Sequence, residues 1–428
     1  MESERTTWRR GFTLVELMVA LTGGLIFSIF VFMMTRDVSR FFRQEAGLSD
    51  ATSALLTGYQ RLRADVQRAG FLASPNFIKD LARCPSRSPI TGVPSLGLLA
   101  GAGWDAFPLI RTMALARLTT PTATTWQSAR SLSPDELVLY GNYTTADTYP
   151  VRSYGGGVLF LNPNSEELVR SGYAAGATTT TLARIFPVGT MVRVLSANTG
   201  EEQYAVVAGT GAADINSPTV TLNSALPLQA KGATFNCGIR GIGADLLVNP
   251  VNIIRYRLGS LSTDTAYAAL YGGTGGSAGA EANWTRYDLL REELSPSATA
   301  AAPISQELVA EFAVDFRVGA QVVTDPANSP ATTFYAEGNA LIPSYLGEST
   351  APPANQVNFG PHLVRALRPR LAIRTRAPDR QANVVGASGL YRVPLTTGTG
   401  GGGPSDYARV RTLQSLIMMH NSKNKVWE

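Results

Sequence analysis

The sequence predicts an α+β protein in which a long N-terminal helix packs on a head of antiparallel β-sheet. The first observation is an apolar segment over 12–34 that continues into a segment with helical periodicity. The second is a later series of short alternating or β-branched segments separated by turn residues. The third is that strand and helix patterns do not alternate, which disfavours a parallel nucleotide-binding sheet.

The composition excludes several classes of protein. A chain of 428 residues suffices for about one to three domains with a buried core. Its formal net charge of +5 excludes disorder through excess charge. With 2 Cys and 2 His, a four-ligand Cys/His zinc site would need all four residues to converge, and a disulfide-rich scaffold is excluded. We therefore expect no metal and no cofactor.

Residues 12–34 form an apolar segment with a single charge, Glu16. As a helix the segment is about 34 Å long, enough to cross a bilayer core of about 30 Å. It is longer than the apolar region of a secretory signal peptide and lacks the small-residue cleavage site. A carboxylate inside such a segment costs about 2.5–3.5 kcal/mol on insertion. Glu16 therefore predicts a partner of positive charge.

The residues around this carboxylate, RRGFTLVE over 9–16, resemble the class III signal of type IV pilins and type II secretion pseudopilins. The resemblance implies that 1–11 is a leader peptide, that a prepilin peptidase cleaves between Gly11 and Phe12, and that Phe12 becomes N-methylated. It also implies that Glu16, one helical turn beyond Phe12, pairs with the N-terminal amine of a neighbouring subunit during assembly. The alternative is a plain signal anchor, which would not be processed at Gly11.

The helix is expected to continue beyond the membrane, giving a helical region of 12–72 with no Pro before Pro75. Gly70 is the expected C-terminal stop. Asp65 is assigned to the polar side. The apolar residues that form the core-facing stripe, at spacings of mostly three or four, are Val38, Phe41, Phe42, Leu48, Ala51, Leu55, Tyr59, Leu62, Val66 and Ala69.

Residues 73–428 are predicted to form a β-rich globular head outside the inner membrane. Five strand candidates lie within 136–228, which we interpret as an inserted β subdomain. They are 136–140, 157–161, 191–195, 204–208 and 219–222. Four later segments are expected to form the main antiparallel sheet against the helix, namely 246–258, 309–323, 363–376 and 407–420.

Cys84 and Cys237 would lie in an oxidising compartment once the head is exported. A disulfide between them would join the segment after the helix to the β body. Two free buried cysteines are the alternative, because the sequence does not establish their distance.

No catalytic residue is predicted. His362 and His420 have no Ser or Cys nucleophile motif nearby. The adjacent acids at 166–167 and 292–293 do not define a pair of carboxylates for acid–base chemistry.

A late strand carries arginines at four even-numbered positions, which share one face of the strand, and Leu371 and Ile373 lie on the opposite face. The arginines are Arg368, Arg370, Arg374 and Arg376. We expect a solvated sheet face here, in preference to a surface for an acidic partner, phospholipid or DNA. Without interleaved aromatic residues there is no support for base stacking, and no nucleic-acid partner is expected.

Two further parts of the chain resemble the PilW family of minor pilins. They are the helix end LRADVQRAGF at 62–71 and the late strand pair at 364–374 and 407–412. The resemblance implies a non-enzymatic minor pilin that primes assembly of a type IV pilus. Its partners would be other minor pilins, the major pilin and a tip adhesin.

The same resemblance implies a location. The precursor would cross the inner membrane once with its head in the periplasm, and the assembled subunit would lie at the pilus tip on the cell surface. Two alternatives remain open from the residues alone. One is a tip pseudopilin of the J type in type II secretion. The other is a membrane-anchored surface-binding protein that never enters a filament.

Overall fold

The structure is a computed structural model. A long N-terminal helix precedes large antiparallel β-sheets, which confirms the predicted α+β class. The residues that it describes are 13–80, 82–84, 107–111, 113–122, 127, 132–173, 180–212, 217–232, 237–261, 267, 286–297, 303–324, 331–346, 360–376, 392–394 and 407–422.

Helix α1 spans Leu14–Arg68, a length of about 83 Å. This confirms the predicted long helix. The helix ends at Arg68, four residues before the end of the predicted helical region 12–72. Thr13 caps its N-terminus, since the Thr13 hydroxyl accepts from the backbone N–H of Glu16. Gly70, at φ +74, follows its C-terminus.

The other helices are short. Their bounds are α2 (Pro108–Arg111), α3 (Glu166–Arg170), α4 (Thr180–Ile185) and α5 (Ile342–Leu346), with 3-10 turns at Pro361–Leu363 and His420–Ser422.

Sixteen strands are described. They are β1 (Ala116–Thr119), β2 (Glu136–Gly141), β3 (Tyr149–Gly155), β4 (Val158–Leu161), β5 (Met191–Ser196), β6 (Glu202–Ala212), β7 (Pro218–Leu222), β8 (Leu246–Gly259), β9 (Asp288–Leu294), β10 (Ser305–Ala310), β11 (Ala313–Val323), β12 (Thr332–Tyr335), β13 (Val364–Arg374), β14 (Arg392–Pro394), β15 (Tyr407–Gln414) and β16 (Ile417–Met418). All nine segments predicted as strands contain one.

Strand β8 belongs to two structures at once. Its second half pairs with β2 on one side and β9 on the other, and this sheet has the order β1-β2-β8-β9-β10. Its first half pairs with β3 and with β5. All of these pairings are antiparallel.

The first half of β8 closes a six-stranded barrel. The order is β8-β3-β4-β7-β6-β5, and β5 returns to β8 through the pairing of 191–196 with 246–251. The barrel is filled by a separate apolar core that includes Tyr149, Phe186, Val192 and Val248. Closure leaves no free sheet edge along this path.

This arrangement differs from two expectations. The segment 246–258 does not join the sheet of 309–323, because β8 pairs with β2, β3, β5 and β9. Within the expected subdomain 136–228, β2 lies outside the barrel, and the barrel takes its sixth strand from β8. Local sequence could not show this, because strand pairing is decided by long-range contacts.

The second sheet packs against α1. Its order is β12-β11-β13-β15-β14, with β16 also beside β13. One apolar core contains residues of the helix and of both sheets, including Leu55, Leu62, Ile254 and Leu371. The helix residues buried in the head are Leu48, Ala51, Leu55, Gly58, Tyr59, Leu62, Asp65 and Val66.

The Tyr59 hydroxyl lies at the gap between β15 and β16, both of which pair with β13. Strand β13 pairs with β15 over 370–374 and with β16 over 366–367, so Pro369 faces the break between them. The Tyr59 hydroxyl lies 3.1 Å from the Pro369 carbonyl oxygen and 2.9 Å from that of Ser415. The Tyr59 hydroxyl therefore donates at the gap between β15 and β16.

The C-terminus of α1 is fixed by the head. Gly70 donates its N–H to the Tyr140 carbonyl at 2.7 Å. The side-chain amide of Asn421 donates to the Ala69 carbonyl at 2.9 Å. A Cβ on Gly70 would lie 2.0 Å from Leu115 Cδ2, so only glycine fits at this positive φ.

The first prediction concerns this turn. Gly70→Ala should lower the free energy of unfolding by about 1–3 kcal/mol, because it adds both strain and a clash. Gly47→Ala is the control, since a Cβ there meets nothing within 4 Å and α1 is continuous through it. Urea unfolding of the full chain in detergent, followed by circular dichroism, measures both variants. Equal unfolding free energies for the two would contradict the assignment.

Candidate functional site

The first half of α1 is an exposed apolar surface. Fifteen large apolar side chains between Leu14 and Met34 are each 45–75% exposed. The helix is long and apolar enough to cross a membrane, judged by length and composition. The first buried residue along the helix is Leu48. About 51 Å of helix therefore projects from the head.

Glu16 lies in a capping box at the N-terminal end of this surface. One oxygen of its carboxylate accepts from the Thr13 backbone N–H and from the Thr13 hydroxyl, each at 3.0 Å. The helix dipole also stabilises a negative charge in this first turn. A carboxylate has about four acceptor positions, so Glu16 can still accept from a further amine. Gly11 and Phe12, the predicted processing residues, lie outside the described residues.

The segment 35–47 connects the apolar half of α1 to the half that is packed in the head. Its side chains are exposed or half-buried. It carries Arg36, Arg40 and Arg43. We call this segment the stalk.

The expectation that Val38, Phe41 and Phe42 belong to the core-facing stripe is wrong, because these side chains are exposed and the helix packs in the head only from Leu48 onward.

A polar cluster attaches the packed half of α1 to the first sheet. The Asp65 carboxylate lies 2.6 Å from Arg291 Nε and accepts from the Tyr256 hydroxyl at 2.7 Å. Arg291 also approaches Glu307, which accepts from Arg61 at 3.0 Å. Burial raises the pKa of the Tyr256 hydroxyl well above its usual value, so it remains a donor.

The assignment of Asp65 to the polar side of α1 is wrong. The residue is 3% exposed because Arg291 and Tyr256 supply the partners that a buried carboxylate requires. The available signal was its position three residues after Leu62 and seven after Gly58, on the face that packs in the head.

Cys84 and Cys237 form a buried disulfide with a Cα–Cα distance of 5.4 Å. Residues beside Cys84 also contact the barrel. The Glu202 N–H donates to the Ala82 carbonyl at 2.9 Å, and the backbones of Arg83 and Glu202 form an isolated parallel β-bridge. The disulfide thus joins the segment that follows α1 to the segment between β7 and β8, which lies beside the start of β6 because the Gly238 N–H donates to the Glu201 carboxylate.

Of the acidic residues and histidines considered above, Glu292, Glu293 and His362 have structural contacts. Glu292 is fully buried and is bound by Arg255 and Arg257, while Glu293 accepts from Asn252 at 2.7 Å. Buried His362 lies 3.0 Å from Asn76 through Nδ1, whereas His420 is exposed. Within the described part of the chain there is no group of three or more residues suited to hold a metal ion.

The late arginines do not form a uniformly solvated face. Arg374 is 1% exposed and stacks on Phe312. Arg370 pairs with Asp315 at 2.8 Å, and Arg368 pairs with Glu337 at 3.0 Å. The expectation of a solvated strip is therefore wrong at Arg374, because an aromatic ring from an adjacent turn covers it.

No family model, curated protein or solved structure matches this chain. The functional interpretation therefore depends on the N-terminal segment and on the geometry described above.

The second prediction uses the two histidines. Burial, with the charges of Lys79 and Arg365, lowers the pKa of His362 to about 3. The unfolded chain takes up this proton below about pH 6.5 and the folded chain does not. Stability should therefore fall as the pH decreases from about 6.5 toward 3, by up to about 1.4 kcal/mol per pH unit from this residue.

His362→Gln should reduce that slope, and His420→Gln, at the exposed histidine, should not. The free energy of unfolding of the full chain in detergent is measured by urea titration at several pH values. Identical slopes for wild type and His362→Gln would refute the assignment.

The third prediction concerns the disulfide. Replacing both cysteines, Cys84→Ala with Cys237→Ala, should lower the free energy of unfolding by about 5 kcal/mol, since the bond closes a loop with a sequence separation of 153. Reductant should destabilise the wild type by a similar amount and leave the double variant unchanged. A wild type that reductant does not affect would contradict the prediction.

Proposed function

We propose that the chain is a minor pilin of a type IV pilus, similar to the PilW family, that helps prime assembly and belongs to the tip complex. The observation that carries the proposal is the projecting half of α1. It combines about 51 Å of exposed helix with Glu16, five residues after Gly11 in a sequence that resembles a prepilin signal. A soluble protein would bury such a surface.

The mechanism follows from this segment. The apolar helix holds the precursor in the inner membrane, and the head, which contains the disulfide, lies in the oxidising periplasm. Cleavage after Gly11 removes a leader that contains Arg5, Arg9 and Arg10 and gives Phe12 a free amine. Glu16 then pairs with the amine of a neighbouring subunit, which offsets the cost of a carboxylate in an apolar environment. The apolar helices of successive subunits bundle as they leave the membrane.

Two properties of the head support a place outside the cell at the tip. A disulfide between Cys84 and Cys237 is typical of an oxidising compartment. The head also carries a six-stranded barrel beside the first sheet, with which it shares β8, so it is large for a subunit repeated along a slender shaft. Other minor pilins, the major pilin and a tip adhesin are the proposed partners.

Determination of the mature N-terminus tests the proposal. Mass spectrometry should find N-methylated Phe12 in cells with the prepilin peptidase and an uncleaved chain in cells without it. An uncleaved N-terminus in both strains would mean a plain anchor. Co-purification with pilus subunits, in preference to secretion pseudopilins, then separates the pilus from the J-type alternative.

The fourth prediction concerns assembly. Glu16→Ala should be processed normally but should fall at least about ten-fold in sheared pili, since the amine of the adjacent subunit loses its partner. Glu45→Ala is the matched control, because it removes the same charge from the exposed stalk. Quantitative immunoblots of sheared pili, normalised to the total amount in the cell, measure both. Equal incorporation of the two variants would contradict the role of Glu16.

A further inference from the structure

The basic residues at the start of the stalk are clustered. In the sequence from 12 to 60, the only Lys or Arg residues are Arg36, Arg40 and Arg43. All three are exposed, and none forms an ion pair with another described residue. A cluster of three arginines in eight positions, directly after an apolar span, is not explained by packing of the head, which begins at Leu48.

The three arginines share one side of the helix. At about 100° per residue, Arg40 and Arg43 lie within about 40° of Arg36 when viewed along the axis. The acidic residues of the same segment, Asp37 and Glu45, lie about 100° and 180° away. We call the three residues the arginine stripe.

The apolar side chains of the stalk lie on the other side. Val38, Phe41 and Phe42 are 43%, 58% and 65% exposed, and they lie about 140–240° from Arg36 around the axis. The stalk therefore presents positive charge on one side and apolar surface on the other.

The distances along the helix place the arginine stripe at the membrane surface. If the hydrocarbon core ends near Met34, Arg36, Arg40 and Arg43 lie about 3, 9 and 14 Å beyond it at 1.5 Å per residue. The headgroup zone of one leaflet is about 5–8 Å thick. The first two arginines thus reach the headgroups, and the third is within a Debye length of about 8 Å.

We propose that the arginine stripe binds the headgroups of anionic phospholipids in the leaflet that faces the head. Guanidinium groups bind phosphate through paired hydrogen bonds, and long basic side chains next to a span extend toward the interface. The proposal rests on the membrane anchoring proposed above, but it does not depend on incorporation into a pilus. Its consequence is that the subunit is retained at the inner membrane until assembly extracts it.

Lipid selectivity of the full chain in vesicles tests the proposal. The vesicles contain phosphatidylcholine and phosphatidylglycerol, with a spin label on one lipid or the other. Electron paramagnetic resonance then gives the relative association of each lipid with the protein. Phosphatidylglycerol should be enriched about five-fold or more over phosphatidylcholine at low salt, and the enrichment should fall at high salt.

Matched variants assign the effect to the arginine stripe. The triple variant Arg36→Gln, Arg40→Gln, Arg43→Gln should lose the enrichment, whereas replacement of the same three residues by Lys should retain most of it. Arg63→Gln, at an exposed arginine in the packed half of α1, should behave as wild type. Wild-type selectivity in the triple Gln variant would overturn the proposal.

Two further readouts separate this proposal from its premises. Resistance of each variant to alkaline extraction reports membrane anchoring. If alkali releases the wild-type protein from the membrane, the membrane span itself is wrong. If the triple Gln variant keeps its lipid selectivity but loses co-purification with pilus subunits, the arginine stripe binds protein and the lipid proposal is wrong.

Discussion

The contact on which the head depends is the packing of the second half of α1 between strands of two different sheets. Leu55, Leu62 and Val66 lie in one core with residues of β8 and of β13. Each buried apolar side chain of this size contributes about 1.5–3 kcal/mol. Without the helix, the facing surfaces of both sheets would be exposed to water, so the helix is part of the core.

Polar contacts fix the position of the helix within that core. Asp65 contacts Arg291 and Tyr256 of the first sheet, and Tyr59 contacts carbonyls of the second sheet at the break beside Pro369. A buried ion pair adds little to stability compared with apolar contacts, but loss of one partner is costly. These contacts therefore specify the register of the helix, and they make the packed half begin at a defined residue, Leu48.

Strand β8 and the disulfide connect the barrel to this core in two independent ways. The first half of β8 completes the barrel and the second half lies in the sheet beneath α1. The disulfide joins the segment after the helix to the segment between β7 and β8. A displacement of α1 relative to the barrel would therefore strain both a continuous strand and a covalent bond. This connection is compatible with the proposed function, in which the helix leaves the membrane while the head remains folded.

The sequence by itself determined the helix, its apolar half and nine of the strands, because these depend on periodicity and length over neighbouring residues. The motif around Gly11 and Glu16 likewise defined the candidate site, since its spacing is local. Only the tertiary structure decided that Asp65 is buried, that Arg374 is covered by Phe312 and that β8 is shared by a barrel and a sheet. Each of these depends on a partner that is distant in the chain. Helical spacing can place Asp65 on the packed face of α1, but short-range patterns do not identify the partners that allow a charged residue to be buried.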